Sequence, residues 1–165
     1  MMAIAVFATP TIDGIYDGGL PVTQLFGLPL HPLLVQLSGV LLPLSAIGLI
    51  LMASGIKRSK KYGGLIVLLA GVAAIATFLA MVSGRDMARG RNYGLQQHFE
   101  LGGWLPWVGL AVFGGALLLW LVDKKPPKRS AFGALLAILS VVVASAAIIA
   151  TVWIGYLGAQ LTWGS

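Results

Sequence analysis

Residues 57–82 read KRSKKYGGLIVLLAGVAAIATFLAMV: four cations packed into five positions, then an uncharged apolar run. An apolar run of about 20 residues is long enough to cross the hydrocarbon of a bilayer as a helix. A short Lys/Arg-rich loop at its end stays on the cytoplasmic side. The same pairing returns at Asp123 to Arg129, DKKPPKR, which precedes the apolar run from Ser130. Eight of the 11 basic residues thus fall in two clusters, Lys57, Arg58, Lys60, Lys61 and Lys124, Lys125, Lys128, Arg129, each joining two apolar runs. This pattern makes the chain an integral membrane protein with two cytoplasmic hairpin loops.

Composition agrees. The 165 residues are 58% hydrophobic and 10% charged, against about a quarter charged in soluble domains. The formal charge of +6 flanks the spans instead of lining one polar face, so it reads as topology signal and lipid-headgroup contact, not as nucleic-acid binding. The absence of cysteine excludes disulfides, thiolate metal sites, iron–sulfur clusters and thioether-attached haem. Met1 to Pro10 lacks the basic region of a signal peptide, so the N-terminus is expected to be retained.

Four spans follow, at about 32–55, 64–82, 104–122 and 130–156, behind a Gly/Pro-punctuated N-terminal segment, 1–30, expected outside the cytoplasm. Lipid offers the backbone no hydrogen-bond partners, so the spans must be helices. Short links give an all-α, up-down-up-down four-helix bundle in which Pro43 should kink the first helix. Eight basic residues in the two hairpin loops against three (Arg85, Arg89, Arg91) in the 83–103 connection place both termini outside, N-out and C-out. Trp104, Trp107, Trp153, Tyr156 and Trp163 then form an outer interfacial belt, and Trp120 and Tyr62 mark the inner boundary. On the fourth span Ala137, Ser140, Ala144, Ser145 and Ala147 supply small side chains that let helix backbones approach.

The sequence contains no serine–histidine–acid set, no Walker-type loop, no HExxH and no paired carboxylates. No carboxylate lies deep in a span, which argues against a carboxylate-based proton pump. The reading is therefore non-enzymatic. The two histidines, His31 and His98, lie toward the outer side on diagonal helices one and three. Inward-facing at one depth, they could ligate haem b from both sides, each axial position taking one imidazole nitrogen. From His31 the facing stripe runs through Val35, Ser38, Leu42 and Ser45. From His98 it passes Gly94, Leu101, Gly102, Leu105 and Gly109, where glycine leaves room for a planar group. Arg85, Arg89 and Arg91 could pair with propionates; their bland alternative is a solvated connection touching headgroups. For the histidines that alternative is interfacial hydrogen bonding.

The stretch GLPLHPLLVQLSGVLLPLSAIGL, with Gly27, Pro29, His31 and Pro32, resembles the opening of the bacterial membrane family called domain of unknown function 2231. SGRDMA after the second span, His98 before the third and the ending GYLGAQLTWG are similar to further family segments, so the resemblance spans roughly residues 27–164. Gln36, where the family is usually histidine-like, and the histidine-free ending depart from the pattern. The resemblance implies a bacterial inner-membrane, multi-pass protein whose helix layout is similar to b-type bundle cytochromes. The leading expectation is a membrane subunit or binding module that holds haem b between His31 and His98 and serves electron transfer. The rivals are a cofactor-free accessory subunit of a larger, respiratory-type membrane complex and, last, a small oligomeric transporter. The expected partners are membrane lipids and either other membrane subunits or further copies of the chain.

Overall fold

The computed structural model of the chain describes residues 24–25, 28–88 and 100–163. Two short strands, β1 (Gln24–Leu25) and β2 (Leu28–Pro29), pair antiparallel and lead into the first helix. Four long helices follow: α1 (Leu30–Ala53), α2 (Ile56–Ala88), α3 (Leu105–Lys124) and α4 (Ala131–Trp163). All four are long and apolar enough to cross a membrane, with Glu100 to Gly102 extending the third span. Each helix packs on its neighbours in chain order, and α4 closes the ring against α1; of the diagonals, α1 and α3 touch more closely. Contacts run in antiparallel register. On the α2–α3 seam a Cβ at Gly109 would meet Ala74 and Thr77, one at Gly71 would meet Phe113, and one at Gly63 would meet Trp120.

The second and fourth helices run well past the hydropathy boundaries. The first basic cluster is not a loop: α2 starts at Ile56, and the Gly55 carbonyl accepts the amides of Arg58 and Ser59, both at 3.0 Å. Lys and Arg are good helix formers, so only Ser54 and Gly55 are needed to turn the chain. At its other end α2 continues through Ser83 and Gly84 to Ala88, so that stretch is helix where the sequence suggested a polar connection. The tail after Tyr156 is helical too, since Leu, Ala and Gln propagate α4, and Gln160 donates to the Tyr156 hydroxyl one turn back. The third helix does not begin unbroken before Trp104. Gly103 and Trp104 form a turn, and Pro106 sits in the first turn of α3, where a missing N–H costs nothing. Pro43 lies inside α1, so the Gly39 carbonyl lacks the usual donor four residues on.

The interior is built of small residues and the surface of large ones. Buried positions include Ala46, Ala70, Ala73, Ala116, Ala144 and Ala147, with Leu42, Leu49, Met52, Val112 and Leu119 filling between them. Large apolar side chains are exposed on every helix, as lipid contact allows. Lipid tails are as apolar as leucine, so the helices gain by close packing and not by hiding apolar surface. On α4 the buried stripe is Gly133, Ala137, Ser140, Ala144 and Ala147, alternating steps of four and three, with Ile154 two turns further on. Ser145 is exposed and does not belong to it. Trp104, Trp107, Trp153 and Tyr156 are exposed at the end that carries His31.

At the opposite, basic end, Arg129 does more than touch headgroups. Its guanidinium grips both carboxylate oxygens of Asp123, Nε to Oδ1 at 3.0 Å and Nη2 to Oδ2 at 2.5 Å. It also donates to the last carbonyls of α1, Met52 and Ala53, at 3.0 and 2.5 Å. Asp123 is fully buried. One residue thus ties the ends of α1 and α3 to the start of α4 and caps carbonyls that have no partner within their helix.

Candidate functional site

His31 stands on the first turn of α1, against the far end of α2. Its Nδ1 lies 3.0 Å from the Ala80 carbonyl oxygen and 3.0 Å from the Ser83 hydroxyl. A carbonyl oxygen can only accept, so in the neutral ring Nδ1 carries the proton and Nε2 carries the lone pair. Ser83 donates its own hydrogen to the same Ala80 carbonyl at 3.0 Å, and so meets His31 as an acceptor. Metal-bound imidazoles are usually oriented this way, one ring N–H given to a carbonyl so that the other nitrogen is fixed and more basic.

Beside His31 lies a cavity of about 760 Å³, within the roughly 300–1,000 Å³ usual for small-molecule sites. All four helical spans contribute to it. The α2 wall, Thr77, Ala80 and Gly84, is buried, whereas Val35, Gln36 and Gly39 on α1 and Gly155 and Ala159 on α4 are exposed. The cavity is therefore closed toward α2 and open on the α1–α4 side. Its polar lining is His31, Gln36, Ser38, Thr77, Glu100 and Thr151, with apolar surface between. Six lining residues are glycines: Gly39, Gly84, Gly102, Gly103, Gly155 and Gly158. A Cβ added at Gly39, Gly102 or Gly155 would meet nothing within 4 Å, so these walls are smooth by composition and not by crowding.

The sequence-derived site is brought together in part. Val35, Ser38 and Leu42 from the His31 stripe line the cavity, as do Gly102 and Leu105 from the other. Ser45 is buried lower in the bundle, and Gly109 is a packing glycine against Ala74 and Thr77. Arg85 is on the helical end of α2; its side chain, and Arg89, Arg91 and His98 altogether, lie outside the described residues. Among the described residues no three His, Cys, Asp or Glu side chains gather as a metal cluster; two axial imidazoles would not form such a group. Sequence reading missed Ser83 and the Ala80 carbonyl as partners of His31. The available signal was the Ser–Gly pair itself, which was assigned to a connection instead of to the end of a helix.

A serine–glycine helix end holding the histidine of a G-x-P-x-H-P opening is the point at which the comparison with known proteins becomes informative. The family model described as "predicted membrane protein (DUF2231)" matches residues 27–165. The chain belongs to that family. Its match covers every residue of the cavity and all four spans. No curated protein and no solved structure matches the chain. Membership makes the chain a predicted membrane protein and brings no assigned activity.

Proposed function

We propose that this DUF2231 protein is a multi-pass subunit of the bacterial inner membrane that holds haem b in the cavity beside His31 and serves electron transfer. The observation that carries the reading is the state of the His31 ring. Ala80 and Ser83 fix its tautomer, and the ring lines a cavity of about 760 Å³. The lining fits such a group: apolar surface for a macrocycle, glycines where its faces would lie, and an oriented imidazole for one axial position. His98 is the candidate for the other axial position, and Arg85, Arg89 and Arg91 are candidates for the propionates. Haem b with two axial imidazoles supplies one-electron transfer. The chain's own share is to orient the His31 ring through Nδ1, to exclude water with the buried α2 wall, and to keep the site at one end of the bundle.

The test is the absorption spectrum of detergent-purified protein, with a pyridine haemochrome assay. A Soret band that is lost in His31→Ala supports the reading. Haem-free protein that takes up no added haemin would end it. A cofactor-free accessory subunit is then the better description, and one observation favours it independently. α4 is the least buried span, at 22% of its apolar window, and exposes Phe132, Ile138, Val142, Ile149 and Val152, a face that another membrane subunit could cover. Co-purification of further subunits without a chromophore would support that alternative.

A further inference from the structure

The basic residues divide by what they touch. Arg129 is committed inside the protein, to Asp123 and the end of α1. Lys60 donates to the Pro126 carbonyl at 2.8 Å, which pins the α3–α4 link to the first turns of α2 and unites two clusters some 66 positions apart in sequence. The Lys61 ammonium stands 5.0 Å from the Tyr62 ring centroid and that of Lys124 4.8 Å from Trp120, so both charges are held at the level of aromatic side chains that favour the headgroup region. Lys57, Arg58, Lys125 and Lys128 remain, all exposed. Among the described residues Asp123 is the sole carboxylate at this end, and Arg129 neutralises it. Below the cations, on the outer side of α2 and α3, Leu65, Leu118 and Leu121 are exposed. Between them Gly64 leaves the Trp120 ring uncovered by any side chain of its own.

We propose that this end binds a phospholipid whose headgroup carries two phosphates. One phosphate would meet Lys57 and Arg58 at the start of α2, the other Lys125 and Lys128 on the link, and the acyl chains would run along the leucines below. The two arms rise from neighbouring helices, whose axes lie about 8–10 Å apart. That separation suits two phosphates on a short linker. Basic pockets between membrane helices recognise such headgroups. The leucine face directly beneath is what singles out a lipid over a soluble diphosphate with the same charges. The inference is independent of the haem reading.

The experiment is thermal unfolding of the full chain in neutral detergent, followed by tryptophan fluorescence, with added diphosphatidylglycerol, phosphatidylglycerol at matched total charge, phosphatidylethanolamine, or inorganic diphosphate. Diphosphatidylglycerol should raise the midpoint by several degrees, well beyond the other three. The variant K57Q/R58Q/K125Q/K128Q should lose that increment and keep the helical circular dichroism of the parent. If the quadruple variant does not fold, K57Q/R58Q and K125Q/K128Q tested separately should each lose the preference for the two-phosphate lipid. Native mass spectrometry should find one retained lipid per chain. Equal shifts from the two anionic lipids at matched charge would overturn the proposal in favour of diffuse attraction. An equal shift from inorganic diphosphate would overturn it in favour of a soluble anion site.

Discussion

At His31 two groups on α2 hold Nδ1, and these two partners are separable by mutation. His31→Ala should abolish any six-coordinate low-spin haem spectrum. Ser83→Ala leaves the Ala80 carbonyl in place, so it should keep the spectrum and weaken haem retention by about 10–100-fold, the usual effect of losing an outer partner of a ligand. A haem titration of both variants in detergent distinguishes a ligand from a hydrogen-bonding interfacial residue, which would leave the spectrum of His31→Ala unchanged. The second decisive residue is Arg129. Arg129→Met strands the buried Asp123 carboxylate, and removing one partner of such a pair costs about 3–5 kcal/mol. The double variant Asp123→Leu/Arg129→Met removes both charges and should be closer to the parent in thermal unfolding. A double variant less stable than the single would place the value of Arg129 in the caps on Met52 and Ala53.

Among the elements, the seams between helices depend on missing side chains. On α2 a Cβ at Gly63 would overlap Trp120 Cδ1, which lies near the base of the indole, so the ring or the helix must move. Gly63→Ala should therefore destabilise by about 1–3 kcal/mol, as overpacking does, although alanine is the better helix former. Gly114→Ala on α3 is its control, since nothing lies within 4 Å of the added carbon, and its unfolding midpoint should not fall. On α4, Ala144→Phe places an aromatic ring on a position with no exposure and should cost a similar 1–3 kcal/mol, whereas Ser145→Phe, one position on and exposed, should be tolerated. Equal effects at 144 and 145 would mean that α4 is not seated by this stripe.

For the whole molecule the testable property is direction across the bilayer. Four crossings put both ends of the bundle on one side, and the positive-inside rule predicts that this side is the exterior. Cysteine labelling in intact cells tests it. Ser59 is fully buried and would resist a thiol reagent from either side, so Lys57→Cys, exposed on the same helical start, is the informative position. It should be shielded from an impermeant reagent, and Asn92→Cys should react. The opposite pattern would invert the bundle and move His31 to the cytoplasmic face.

Class and number of spans were legible in the sequence because they depend on sums along the chain. Apolar length, charge at the ends and aromatic belts need no partner to be read. The small stripe on α4 was readable as well, apart from Ser145, because helical spacing places it on one face. Helix ends were less so: hydropathy drops at Lys57 and Ser83, but helix formation does not, since cations and Ser–Gly pairs can continue a helix once its neighbours pack. What the tertiary structure alone decided is pairing between distant positions. Ser83 as the partner of His31, Arg129 as a staple across three helices, and the joining of Lys60 to Pro126 each bring together residues of different helices or loops. No local pattern records such a pairing, because the energy that selects it comes from side chains meeting only after the helices have found their register.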